Sequence, residues 1–185
     1  MLQHKIRRLV VGVAAVAASF ATVTAPAMAD ASAARIVRYD TSQAQEFKAN
    51  WDEGAKIWNA SVKNVRLEPA APGQAAQIRI LADDGWPRAQ VAGLGRGTVW
   101  MGRQAVRDGH FVNRITAHEL GHILGLPDRR TGLCTDLMSG ASAGTTCKNP
   151  NPNAAEKAQV ERSFAGGFAS VEPFSTDGRE WAQAG

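Results

Sequence analysis

His118, Glu119 and His122 stand in the order H-E-x-x-H. Residues four apart on a helix lie about 40° apart around its axis, so two imidazoles at that spacing can reach one metal ion. The glutamate one place after the first histidine is turned roughly 100° away, toward a water on that ion and not toward the ion itself. Gly125 follows His122 by three residues and Asp128 follows Gly125 by three. A glycine there can reverse the chain, and an aspartate there can return to the metal as a third ligand. Three protein ligands leave the fourth position of zinc open, as catalysis requires; structural zinc usually takes four. Two neutral imidazoles and one carboxylate leave the site with a formal charge of +1, so the metal remains a Lewis acid and brings the pKa of water from about 16 to about 7. Glu119 is then placed to take the proton of that water as it attacks a peptide carbonyl, and to hand it to the departing amine. Chance placement of four His and eight Glu would produce H-E-x-x-H in roughly 0.4% of chains of this length.

Such side chains need an amphipathic helix under them. One is predicted from Asn113 through Ile115, Ala117, Leu120 and Leu124 to Gly125, the expected left-handed C-terminal residue. On spacing alone Asp128 reads equally as a turn residue after Pro127. His110, eight residues before His118 and outside the helix, is a rival ligand but reads better as a loop residue or a substrate contact. Leu137-Met138-Ser139-Gly140 is a small loop carrying a methionine, and Asp136 before it reads as a turn residue. The whole run, H-E-x-x-H-x-x-G-x-x-D followed by this loop, resembles the metzincin pattern with its Met-turn, with Asp where most metzincins have a third His. In that reading Met138 is structural, an apolar floor beneath the metal.

The rest of the chain supplies a scaffold. Arg35–Tyr39, Val62–Leu67, Gln77–Leu81, Gln90–Leu94 and Thr98–Met101 are short β-rich runs separated by turn clusters such as Pro69/Pro72/Gly73. Ser42 and Gln45 have capping-box spacing ahead of a helix whose Phe47, Trp51 and Trp58 form one aromatic stripe, which reads as core. Gly93-Leu-Gly-Arg-Gly97 lacks the spacing of either nucleotide fingerprint and joins two strands. Asn153 with Glu156 caps a last helix through Val160 and Phe164 to Gly166-Gly167. The strand near Gln90–Leu94 reads as a sheet edge, able to pair with an extended peptide or simply to end the sheet.

Composition limits the function classes. With 44% apolar and 21% charged residues over 185, the chain is long enough for one globular domain and not disordered throughout. Lys5, Arg7 and Arg8, the apolar run Leu9–Ala25 and Ala27-Met28-Ala29 make residues 1–29 an export signal with an A-x-A cleavage site. Its apolar run of about 17 residues, rich in Ala, is short for a membrane anchor. Without those residues, eighteen basic side chains face seventeen acidic ones, which gives no reason to expect a nucleic-acid partner. The expected organisation is therefore a signal (1–29), a catalytic domain (30–167) and a loose tail (168–185), in a secreted protein with no membrane association once the signal is removed.

An aspartate ligand in so short a chain resembles the snapalysin family, small extracellular zinc endopeptidases of actinomycetes. The resemblance rests on His118 to Asp128, on Asp136–Gly140, on Cys134 and Cys147, and on Lys56–Val65, which is similar to the family's first helix and following strand. It implies zinc on His118, His122 and Asp128, Glu119 as general acid/base, and a Cys134–Cys147 disulfide around the Met-turn. Such a bridge would add roughly 3 kcal/mol of stability. It also implies an α+β fold: a single small metzincin-like domain, with a twisted mixed β-sheet packed on two main helices plus a C-terminal helix. Protein or peptide substrates, cleavage before a large aromatic residue and a monomeric state complete the expectation. Two departures stand out. The family has a tyrosine two residues after the aspartate ligand; here Arg129 and Arg130 follow, so a phenol suited to steadying the oxyanion is missing and Arg130 is the charge in its place. The family's calcium ion falls at Phe111 and Asn113; Phe111 offers no side-chain oxygen, which leaves Asp108 as the carboxylate that would substitute. Competing functions are an inactive metal- or protein-binding domain that retains the motif, which the missing tyrosine favours, and an exported zinc amidase.

Overall fold

Apolar and polar residues alternate along five segments, and each buries the same parity of side chain. In the computed structural model, which describes residues 33–165, these are β1 (Arg35–Gln43), β2 (Val65–Pro69), β3 (Ile78–Asp83), β4 (Arg88–Gly93) and β5 (Arg96–Gly102). The signal segment, the Gly166-Gly167 stop and the 168–185 tail lie outside the described residues. The strands form one sheet in the order β2-β1-β3-β5-β4. All neighbours are parallel except the β4–β5 hairpin, where the GLGRG run makes the turn and β4 forms an antiparallel edge. Val37, Tyr39, Val65, Leu67, Ile78, Ile80, Ala89, Val91, Val99 and Met101 face inward and are buried. Period-two burial on one face is what a sheet covered by helices on one side requires.

Two helices cover that face: α1 (Lys48–Ser61) and α3 (Val112–Ile123). Trp51, Ala55 and Trp58 turn the stripe of α1 into the core, as the aromatic spacing predicts. The helices cross closely at Gly54, where a Cβ would come within 2.8 Å of Thr116 Oγ1. Trp58 Nε1 donates to the Ala117 carbonyl at 2.8 Å, which satisfies a buried indole and ties α1 to the middle of α3. A short α2 (Arg103–Arg107) links β5 to α3, and α4 (Ala154–Ala165) closes the described chain. This is the expected small α+β domain with a mixed sheet on two main helices and a third at the C-terminal side.

The differences are local. Ser42 does not cap α1; it lies in β1, which runs four residues past Tyr39, and both its backbone N–H and its hydroxyl donate to Asp40. A 3-10 turn at Gln45–Phe47 leads into α1 without a side-chain cap. Strand β2 begins at Val65 because Val62 still donates to Trp58 O and ends α1. Nothing periodic in the sequence announces α2.

Candidate metal centre

α3 is buried from Arg114 to Ile123, so its motif residues sit inside the domain. Its end forms a Schellman motif: Leu126 N–H donates to Gly121 O and Gly125 N–H to His122 O, with Gly125 at φ +93°. That reversal carries the chain back past the helix, and Asp128 meets both histidines. His118 Nε2 and His122 Nε2 are 3.1 Å apart, and Asp128 Oδ1 is 3.3 Å from the first and 3.1 Å from the second. Among the described residues, these three form the one group of His, Cys, Asp or Glu side chains able to hold a metal ion together.

The proton arrangement is equally constrained. His118 Nδ1 lies 3.0 Å from Leu137 O and His122 Nδ1 2.8 Å from Leu126 O. A carbonyl only accepts, so in the neutral rings Nδ1 carries the hydrogen and Nε2 the lone pair. Two lone pairs and a carboxylate oxygen therefore face one another, and Asp128 Oδ1 is buried without a hydrogen-bond donor. A metal cation between them would satisfy all three acceptors at once. A tetrahedral ion with bonds of about 2.0–2.1 Å has ligand–ligand edges of about 3.3 Å, which the observed distances match. Burial pushes the Asp128 carboxyl up, but the two imidazoles facing it outweigh that and hold it well below the usual carboxylate range. Its side chain is 21% exposed while both histidines are fully buried, so the site opens to solvent on the Asp128 side.

The remaining predicted residues fall around this centre. Glu119 is 1% exposed on the same helix. Met138 is fully buried in the 3-10 turn Leu137–Ala143 and packs on α3. A Cβ at Gly121 would lie 2.8 Å from Met138 Sδ and 3.3 Å from Trp58 Cζ2, so a larger residue at this unassigned place within the motif would have to displace the methionine. Cys134 and Cys147 are joined by a disulfide around the turn. Asp136 is more than a turn residue: it accepts from Thr131 Oγ1 at 2.8 Å and Asn153 Nδ2 at 2.9 Å, joining three segments. His110 is half-buried and stands outside the metal-binding group. Arg130 is exposed with φ +46°, an uncommon backbone conformation for a side chain of its size. At the calcium positions, Asn113 Oδ1 already accepts from Asn50 Nδ2 at 2.8 Å, Phe111 caps α3, and Asp108 ends α2. Sequence reasoning missed Arg114 and passed over Glu156 except as a cap; the structure brings both onto the Met-turn.

A five-strand mixed sheet with an edge β-hairpin, two covering helices and this His-His-Asp centre above a buried methionine turn together define a small metzincin-like domain. Residues 34–167 match the family described as "Streptomyces extracellular neutral proteinase (M7) family", and the chain belongs to it. It is 39% identical over 140 residues to an "Extracellular small neutral protease" of Streptomyces sp. (strain C5), a match covering 76% of this chain and 61% of that protein. To the protein of the same name from Streptomyces caespitosus it is 42% identical over 132 residues, covering 71% and 98%. To that of Streptomyces lividans it is 38% identical over 141 residues, covering 76% and 62%. The chain thus spans about three-fifths of the length of the first of these relatives.

Proposed function

We propose that this chain is a secreted zinc endopeptidase that hydrolyses peptide bonds in proteins, with residues 1–29 as its export signal, 30–167 as its catalytic domain and 168–185 as a tail. The observation that carries the reading is the meeting of His118 Nε2, His122 Nε2 and Asp128 Oδ1 within 3.3 Å, lone pairs inward. Two imidazoles and a carboxylate are a donor set that suits zinc, and a fourth position is left for substrate. Bound there, zinc would supply Lewis acidity for a scissile carbonyl and for a water molecule.

The chain's own residues do the rest. His118 and His122 are held as Nε2 donors by the carbonyls of Leu137 and Leu126. Glu119, one residue from a ligand and buried, takes the proton of the attacking water and returns it to the leaving amine nitrogen. Burial keeps bulk water from competing for that proton. β4, an antiparallel edge with β5 as its sheet neighbour, offers main-chain groups to an extended substrate. A pocket walled by the Met-turn would select the side chain after the scissile bond, where the family resemblance points to a large aromatic residue. No helix among the described residues is long and apolar enough to cross a membrane. The relatives' printed names, extracellular and protease, support the same reading.

Casein hydrolysis by the purified chain tests it. Cleavage abolished by a chelator and restored by zinc is the expected result. Bound zinc with no cleavage of any peptide would point to an inactive binding domain, and cleavage confined to muropeptides would point to an amidase.

A further inference from the structure

The Met-turn is gripped from two sides by buried charges remote in sequence. Arg114, in the first turn of α3 and 3% exposed, spreads its guanidinium over four backbone carbonyls. Nη1 donates to Asn149 O at 2.6 Å and Cys134 O at 3.3 Å, and Nη2 to Asp136 O at 2.6 Å and Leu137 O at 3.3 Å. Glu156, in the first turn of α4 and 2% exposed, accepts from Met138 N–H at 2.8 Å and Leu137 N–H at 3.2 Å. Its capping duty toward Asn153 N–H, at 2.7 Å, accounts for only one of these three bonds. The two charges meet at Leu137. That residue's N–H is held by Glu156, and its carbonyl, which Arg114 also reaches, is the acceptor for His118 Nδ1 at 3.0 Å.

We propose that Glu156 and Arg114 are positioning residues for the metal ligand His118. They lock the Leu137 peptide, and its carbonyl in turn fixes the tautomer and tilt of the imidazole so that Nε2 faces the ion. The proposal rests on the metal-centre reading above. Three main-chain donors converge on one carboxylate, and charge-assisted bonds of this kind are the stronger and more directional ones. Glu156→Gln puts an amide NH2 where one of those N–H groups needs an acceptor, so the Leu137–Met138 peptides must rotate. Arg114→Lys keeps the charge but cannot fork across four carbonyls.

The test compares wild type, E156Q, R114K and a control, N59A, which removes the Asn59 bonds joining α1 to the backbone of Leu67 in β2, on elements other than the Met-turn. Three quantities are measured: the zinc dissociation constant by competition with a chromophoric chelator, the visible spectrum of the Co(II)-loaded protein, and the melting temperature of the metal-free form. Loss of an outer-shell partner typically weakens metal binding about 10–100-fold. E156Q and R114K are expected to show that loss together with shifted cobalt bands, while N59A lowers the metal-free melting temperature yet keeps wild-type zinc affinity and spectrum. Unchanged affinity and bands in E156Q would overturn the proposal, as would an equal loss of affinity in N59A. If E156Q does not accumulate as folded protein, R114K decides in the same terms. Wild type that fails to bind zinc at all would instead sink the metal-centre reading, and so the two failures are distinguishable.

Discussion

Glu119 is 1% exposed, in a helix that is buried from Arg114 to Ile123, and the proposed hydrolase, as against a metal-holding fold, rests on its place beside His118. Glu119→Gln keeps the shape and the three ligands but cannot carry a proton. It is expected to retain zinc and to lose about 10²–10⁴-fold in casein turnover, since general acid/base catalysis contributes that much. Turnover close to wild type, measured on zinc-loaded protein, would remove Glu119 from the chemistry. The group of His118, His122 and Asp128 is readable in the sequence because its spacing is local: two residues on one helical face, a glycine stop and a short return. Arg114 and Glu156 are not, because their partners are main-chain groups 18–35 residues away that carry no side-chain pattern. Gly121 falls between. It stands in full view inside the motif, but its close neighbours, Met138 Sδ and Trp58, are brought near only by the folded chain.

At the scale of elements, the same short pattern succeeded once and failed once. Asn153 and Glu156 form a reciprocal capping box at the start of α4, with Asn153 N–H donating to Glu156 Oε2 and Glu156 N–H donating to Asn153 Oδ1. Ser42 and Gln45 have comparable spacing but no such exchange, because sheet pairing to β3 extends β1 through Gln43 and Asp40 takes the Ser42 donors. Tertiary pairing overrode a local signal there. The strands are legible as short β-rich runs between turn clusters, whereas α2 is too short for any period to mark it. The loop between Asp128 and α4 has little regular structure, and its order rests on cross-links. Replacing both cysteines, Cys134→Ser with Cys147→Ser, should therefore lower unfolding free energy by about 3 kcal/mol, read from denaturant midpoints. A loss under about 0.5 kcal/mol would mean that Arg114, Asp136 and Glu156 hold the loop without the bridge.

At the scale of the whole molecule, one sheet face is covered by α1 and α3, while the other carries Arg38, Arg66, Arg79 and Thr98 together with the partly exposed Ile36, Leu81 and Trp100. Remote segments are tied in by carboxylates and amides: Glu161 of α4 accepts from the N–H groups of Lys63 and Asn64, between α1 and β2. Acid should weaken this assembly in part through His110. Desolvation is the main reason its pKa lies below the ordinary 6.5, against an opposing pull from Asp108. Below about pH 6.5 the unfolded chain takes up that proton before the folded one does, so stability falls with pH until the folded His110 also titrates. His110→Gln should flatten that part of the melting-temperature profile and leave the profile above neutral pH parallel to wild type. Parallel profiles throughout would show that His110 plays no part in acid sensitivity.

The most direct test of the central claim is zinc content together with zinc-edge X-ray absorption on the purified chain. One zinc per chain is expected, coordinated by two imidazole nitrogens and a carboxylate oxygen, absent from His122→Ala and retained in Glu119→Gln. A chain that stays metal-free after incubation with zinc, or an edge spectrum dominated by sulfur ligands, would contradict it.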